Sequence, residues 1–180
     1  KIGGTNFTDS LLIGHSTTGT LNAAIRNVGV GSNALDALTS GDNNVAIGYV
    51  AGTNINSGSG NIAIGSGALT TSSGATNNVA IGLSTLQSAD SSTTENTAIG
   101  NQSGLAVTSG NVNTFLGFQA GANINSGSGN VMIGQVNADS ATGDRQLKIA
   151  GHDGSTTTTW ISGDSSGNLT FAGDVTVGDD

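Results

Sequence analysis

Asn44-Val45-Ala46-Ile47-Gly48 is the clearest copy of a five-residue phrase that recurs eight times in this 180-residue chain. The other copies end at Gly14, Gly31, Gly65, Gly82, Gly100, Gly117 and Gly134. Successive glycines keep one interval, that from Gly31 to Gly48, except for a step longer by a single position between Gly82 and Gly100. So regular a period marks an array of one small unit stacked on itself.

The positions inside the phrase have distinct chemistry. Immediately before the glycine stand Ile13, Val30, Ile47, Ile64, Ile81, Ile99, Leu116 and Ile133, all aliphatic. Three before it stand Leu11, Val28, Val45, Ile62, Val79, Thr97, Thr114 and Val131. Between these two columns lie mostly small residues: Leu12, Gly29, Ala46, Ala63, Ala80, Ala98, Phe115 and Met132. Three apolar residues closed by Gly are too few for an amphipathic helix, and their β-branching favours a strand. In a strand the first and third residues share a face and the second points the opposite way. We therefore expect a parallel β-roll. The column before glycine is expected to form the roll core, and the small middle column to face another chain. Seven residues past the glycine come Leu21, Leu38, Ile55, Ser72, Ala89, Val107 and Ile124, read as a further inward column on the return leg. About eight 17-residue coils, stacked at ~4.8 Å, make a solenoid roughly 35 Å tall.

Four residues before the glycine, Asn27, Asn44, Asn61, Asn78, Asn96, Asn113 and Asn130 form a column broken only by Ser10. Stacked identical amides bond one another, and Asn tolerates turn backbone, so this column is expected to be a structural ladder at a coil corner. The motif glycine lets the backbone turn at the strand end.

With 30 Gly, no Pro, no Cys and 3% aromatics, the composition alone resembles a low-complexity linker. The period overrules that reading, because disorder gives no reason to place an aliphatic at so constant an interval. So few large apolar groups suggest too little core for a lone chain, and a homo-oligomer is expected. The formal charge is −8 with four cations, Lys1, Arg26, Arg145 and Lys148, which leaves no basic footprint for nucleic acid or anionic membrane. No apolar run is long enough to insert into a bilayer. The start at Lys1 and the lack of a signal-peptide pattern suggest a segment of a longer polypeptide.

The chain divides at residue 138. Residues 1–138 read as the roll, with an irregular first coil through residue 26. Asn54 to Asn61 and Asn123 to Asn130 are identical, and the distance between them is four periods plus one position. The surplus residue is assigned to the loop Asp90 to Glu95, because a slip inside a strand would invert its side chains. Residues 139–180 read as a β-rich connector and cap. Gln146 to Ile149, Thr158 to Ile161, Asn168 to Phe171 and Asp174 to Val177 alternate there with Gly- and Asp-rich turns, as short antiparallel strands do.

Little in the chain points to catalysis. His15 and His152 are the only histidines, far apart in sequence, and no periodic logic sets an acid or nucleophile beside either. The acids Asp36, Asp42, Asp90 and Glu95 occupy no common column, so a paired-carboxylate glycosidase would need carboxylates meeting between chains. Asp139, Asp144, Asp153 and Asp164 could supply oxygen ligands, but read more simply as solvated turn residues. No catalytic residue, cofactor or metal is assigned. The position after the glycine carries three large groups, Tyr49, Leu83 and Phe118, read as a patch for a neighbouring chain or for a glycan or protein receptor. Repetition by symmetry would raise the avidity of such a patch.

The Asn-x-Ala-Ile-Gly phrase resembles the head repeat of trimeric autotransporter adhesins (YadA-like heads) over about residues 10–138. Coils of that family are usually shorter than the coils here. The alternation of Ala51-Gly52 and Ala120-Gly121 with Ala34-Leu35 and Ala68-Leu69, followed by Ser166 to Val175, resembles marine phage tail-fibre proteins. The first resemblance implies a left-handed roll and a homotrimer. Together they imply a structural and adhesive segment of a viral tail fibre, joined to other fibre or virion proteins through flanking regions and located in the virion. The alternative is an adhesin head on a bacterial surface; a fibre-borne polysaccharide depolymerase is a more distant third.

Overall fold

The computed structural model describes residues 7–14 and 22–175. His15, Leu21, Thr176 and Val177 lie outside the described residues. The described chain is all β, a parallel solenoid of about eight turns with a short antiparallel end. Each phrase is a three-residue strand: β2 (Leu11–Ile13), β4 (Val28–Val30), β5 (Val45–Ile47), β6 (Ile62–Ile64), β7 (Val79–Ile81), β8 (Thr97–Ile99), β9 (Thr114–Leu116) and β10 (Val131–Ile133). They pair in parallel and in register, phrase on phrase. Two short strands, β1 (Phe7–Thr8) and β3 (Ala24–Ile25), pair in parallel beside the first coils.

The alternation along each strand is as expected, but its sense is inverted. The middle residues Leu12, Ala46, Ala63, Ala80, Ala98, Phe115 and Met132 are the buried ones. The column assigned to the roll core, Ile13, Val30, Ile47, Ile64, Ile81, Ile99, Leu116 and Ile133, faces outward instead. Ile13 is 52% exposed and Leu116 47%, and none of the eight is fully buried. The reason is the width of the coil. Across its interior the middle residue meets the return leg, where Ala34, Leu35, Ala51, Ala68, Leu69 and Ala120 are buried. So are Leu38, Ile55, Ser72, Ala89, Val107 and Ile124 of the column seven past the glycine. An Ala or Gly fits that gap, whereas paired β-branched side chains from every strand would not.

The larger middle residues are matched by glycines. Leu12 packs where a Cβ of Gly29 would sit. The Phe115 ring fills the space over Gly104 and Gly121, whose Cβ atoms would stand 2.8 and 2.5 Å from it. The motif glycines are fixed twice over. Gly82, at φ +137°, would also set a Cβ 2.5 Å from the Gly100 carbonyl oxygen in the next coil.

The surplus residue falls in the expected loop. The Leu69 N–H donates to Thr85 O, as Leu35 does to Ala51, so the common step still holds there. Thr76 pairs with Thr94, a step longer by one. Asp90, Ser91 and Ser92 stand exposed between, and Asp90 Oδ1 accepts from the Ser92 N–H at 2.8 Å.

The connector departs from expectation at its first strand. β11 (Leu147–His152) pairs in parallel with β10 and so adds one more rung to the stack. Only β12 (Thr157–Gly163) and β13 (Leu169–Phe171) are antiparallel. Asp174 and Val175 belong to no strand.

Candidate functional site

Three features of the stack could carry function, beginning with the asparagine column. All seven asparagines are buried. Each Oδ1 from Asn27 to Asn113 accepts two bonds from the next rung. Asn61 is representative: its N–H and its Nδ2 both donate to Asn44 Oδ1 at 3.0 Å. Its Nδ2 also donates to Ala75 O at 2.7 Å, tying the end of the coil to its start. Every amide is thus occupied by the fold, which leaves the column structural. Its ends are residues that sequence reading set aside. Ser10 Oγ accepts the Asn27 N–H at 2.8 Å, and Gln146 donates its N–H at 2.8 Å and its Nε2 at 3.2 Å to Asn130 Oδ1. Gln146 falls one position short of the period after Asn130, so a template of constant spacing misses it.

The outward sheet face is the second feature. Register places Ile13, Val30, Ile47, Ile64, Ile81, Ile99, Leu116, Ile133, Ile149, Ile161 and Phe171 side by side, one apolar residue on each strand of the eleven-stranded sheet. The strand-initial column from Leu11 to Val131 and Leu147 lies on the same face. At the corner beyond, Tyr49, Leu83 and Phe118 are 61%, 49% and 46% exposed. They are not brought together. They occupy alternate coils, about 9.6 Å apart, with Ser66 and Asn101 between them.

The third feature is the far end of the stack. A cleft of about 420 Å³ is lined by Gln119, Ala122, Asn123, Gln135, Val136, Asn137 and Thr157. Separately, and sharing no lining residue with that cleft, Gly151, His152, Asp153, Thr156, Thr158 and Trp160 line a hollow of about 350 Å³. Trp160 is the extra residue of a bulge between the Ile149–Ile161 and Ala150–Thr159 pairs. Its indole lies over Gly151, where a Cβ would come 2.6 Å from Cη2, and it remains 54% exposed.

The four connector carboxylates do not converge. Asp139 is paired with Lys148, and Asp144 Oδ1 accepts the Ser128 N–H at 2.7 Å. These two share a hollow with Asp164, but Asp153 lies apart in the Trp160 hollow. Asp153 accepts the Thr156 and Ser155 N–H groups and the Ser155 hydroxyl, and these bonds hold its pKa down at about 2. Asp164 is likewise lowered, first by the Asn168 side-chain amide and then by the Asn168 N–H. Among the described residues no group of three or more His, Cys, Asp or Glu could hold a metal ion. His152 Nδ1 lies 3.0 Å from Thr157 Oγ1.

These features define the class of molecule: a parallel β-solenoid pinned by an amide ladder, with one continuous apolar sheet face. No family model, curated protein or solved structure matches the chain.

Proposed function

We propose that this chain is a structural and adhesive segment of a homotrimeric viral tail fibre, in which three copies stand side by side along the solenoid axis. One observation carries the proposal: an apolar column crosses all eleven strands on the outward face. A contiguous apolar surface of this length is uncommon on a monomer and marks an interaction face. A second copy has the same coil pitch and so matches it row by row over the whole height, which a partner of unrelated shape cannot do. A stable interface takes roughly 800 Å² per partner, and this face offers apolar rows over the whole height of the stack. The interchain face is thus the column first assigned to the roll core, and the small middle column belongs inside each coil. The number three and the viral setting rest on the resemblance of the repeat. Other fibre or virion proteins would join through flanking regions, and the corner residues Tyr49, Leu83 and Phe118 would stay available to a receptor.

Light scattering tests the assembly. The expected mass is three times 17.5 kDa, about 52 kDa. A folded monomer at micromolar concentration would remove the proposal. Ile64→Asp places a charge on the outward face of a middle coil, and is expected to yield folded monomer.

A further inference from the structure

We infer that the corner of the last coil is a docking site for an uncharged, glycine-bearing polypeptide segment, which lies in the end cleft and supplies a backbone N–H that the coil itself lacks. Which protein supplies that segment rests on the fibre reading, but the cleft belongs to a single chain.

One residue is missing from the last coil. In the regular coils the residue two past the motif glycine donates its N–H to the carbonyl of the residue one past the glycine in the coil before. Val50 donates to Ser32 O at 2.9 Å, Gly67 to Tyr49 O at 3.0 Å, and Ser84 to Ser66 O at 2.9 Å. Gln102 donates to Leu83 O at 2.8 Å and Gln119 to Asn101 O at 2.9 Å. The next donor in the row would meet Phe118 O. There Val136 turns back and gives its N–H to Gly134 O at 3.0 Å. Its own carbonyl already accepts the Gly121 N–H at 2.9 Å, the place that Ala68 takes over Gly52. Gln135 alone therefore spans a corner that Ser66 and Gly67 share elsewhere, and from Val136 to Gln146 the spacing is again that from Ala68 to Asn78. The deficit sits at this corner, and Phe118 O accepts no hydrogen bond among the described residues.

The cleft of about 420 Å³ opens at the same place, between Gln119 and Ala122 of one coil and Gln135, Val136 and Asn137 of the next. Its lining holds no charged side chain, so a charged segment would find no counter-charge. Asn123 shows what a carboxamide does here. Its Oδ1 accepts the Ala138 N–H at 3.0 Å and its Nδ2 donates to Ala138 O at 2.9 Å, so it grips one residue's backbone by both polar groups. The side-chain amides of Gln135 and Asn137 make no bond among the described residues, and Gln119 uses only its Nε2, on Gln102 Oε1 at 2.8 Å. These groups can hold the N–H and C=O groups of an incoming chain in the way Asn123 holds Ala138. The donors of the row, Val50, Gly67, Ser84, Gln102 and Gln119, all have left-handed backbone, with φ of 51–70°, and glycine adopts that conformation with least strain. The site also stays open in a side-by-side assembly. Thr157 lines it from the hairpin side that Ala150 turns to the coil interior, whereas Ile149 and Ile161 face the apolar row.

The test uses the intact, isotopically labelled protein and the end-blocked peptide Gly-Ser-Gly-Ala-Leu-Thr, the sequence of residues 65–70 that fills this corner in a regular coil. The side-chain amide resonances of Gln135 and Asn137 are expected to shift and saturate, with a dissociation constant on the order of 1 mM. Insertion of one glycine between Gln135 and Val136 rebuilds the two-residue corner and supplies the N–H from within. It should leave circular dichroism unchanged and weaken binding about tenfold or more. Gln135→Ala/Asn137→Ala, followed at the Gln119 amide, should weaken it by a similar factor and decides the matter if the insertion variant does not fold. End-blocked Gly-Asp-Gly-Ala-Asp-Thr and maltohexaose should produce no shift. Absence of a saturable shift with the first peptide overturns the inference, as does unchanged binding in either folded variant, or preference for the acidic peptide or the saccharide. Light scattering reads assembly separately, so failure of this site and failure of the trimer are told apart.

Discussion

Phe115→Ala offers the sharpest check on how the coils pack. The ring is fully buried and occupies the room left by Gly104 and Gly121. Removing it costs about 3–5 kcal/mol, as for other buried aromatics cut back to Ala. Gly121→Leu alone is expected to be destabilising by about 1–3 kcal/mol, because its Cβ would already stand 2.5 Å from the ring. Simple addition puts the double variant about 4–8 kcal/mol below the parent.

The rest of the stack argues against addition. Four residues past the motif glycine, three of the five coils with a small middle residue carry a buried leucine, Leu35, Leu69 and Leu86, while the other two carry Gly52 and Gly104. The φ values of these leucines are 56°, 50° and 48°, against 60° at Gly121, so the backbone here already holds leucine in a left-handed conformation. Phe115→Ala with Gly121→Leu recreates the Ala63–Leu69 pairing found elsewhere in the stack. The new Leu regains about 1.5–3 kcal/mol of burial, less about 1 kcal/mol for a non-glycine residue in that conformation. The space over Gly104 stays empty, so recovery is partial. The double variant should lie about 2–4 kcal/mol below the parent, more stable than Gly121→Leu would predict by addition and no worse than Phe115→Ala alone. Urea denaturation followed by circular dichroism, at fixed protein concentration, gives the comparison. Additive losses would refute the idea that these two positions exchange volume.

Other consequences are simpler to state. Asn78→Ala should cost about 1–3 kcal/mol, because it strips the buried Asn96 N–H and Nδ2 of the oxygen they share; urea midpoints measure it, and a neutral result would deny the ladder its structural role. Deleting Ser91 should leave secondary structure and assembly intact by restoring the constant period, whereas deleting Ala80 should abolish folding by reversing a strand; circular dichroism separates the two. For Asp153 the folded pKa is depressed, from 3.8 to about 2, so its stabilisation of the turn is present above pH 3.8 and lost as pH falls through about 2. Asp164 shifts in the same direction. Protection of the Ser155 and Thr156 amides, taken relative to their intrinsic exchange rate at each pH, should therefore fall over that acid window, and Asp153→Ala should lack that protection at every pH.

Much of this architecture could be read from the chain because a period is a strong constraint. The spacing of Gly48, Gly65 and Gly82 gives coil number and register, and the surplus residue between Gly82 and Gly100 has only one place that spares the strands. Gln146 and the parallel pairing of β11 were harder, because the stack's last rung abandons the phrase and keeps only an amide. The end cleft was not legible at all. Gln119, Gln135 and Thr157 are ordinary surface residues in sequence, and they meet because the β11–β12 hairpin folds back beside the last coil.

The inverted sheet is the instructive error, and its cause is size. In a three-residue strand with apolar residues throughout, alternation says only that the middle differs from its neighbours. Choosing the larger pair as the inside follows the habit that bulk is buried, which holds where the interior is as wide as a domain core. A coil this short has no such interior. Its two walls are separated by little more than one side chain, so volume is rationed and small residues win. The same rationing explains why Phe115 needs glycines on both sides and why Ala recurs opposite Leu. Bulk excluded from a narrow coil collects on its outer face, and that face can leave water only by meeting another chain. In a solenoid this thin, the column of small residues marks each coil's own interior, and the column of large ones is the face that the proposed assembly would bury.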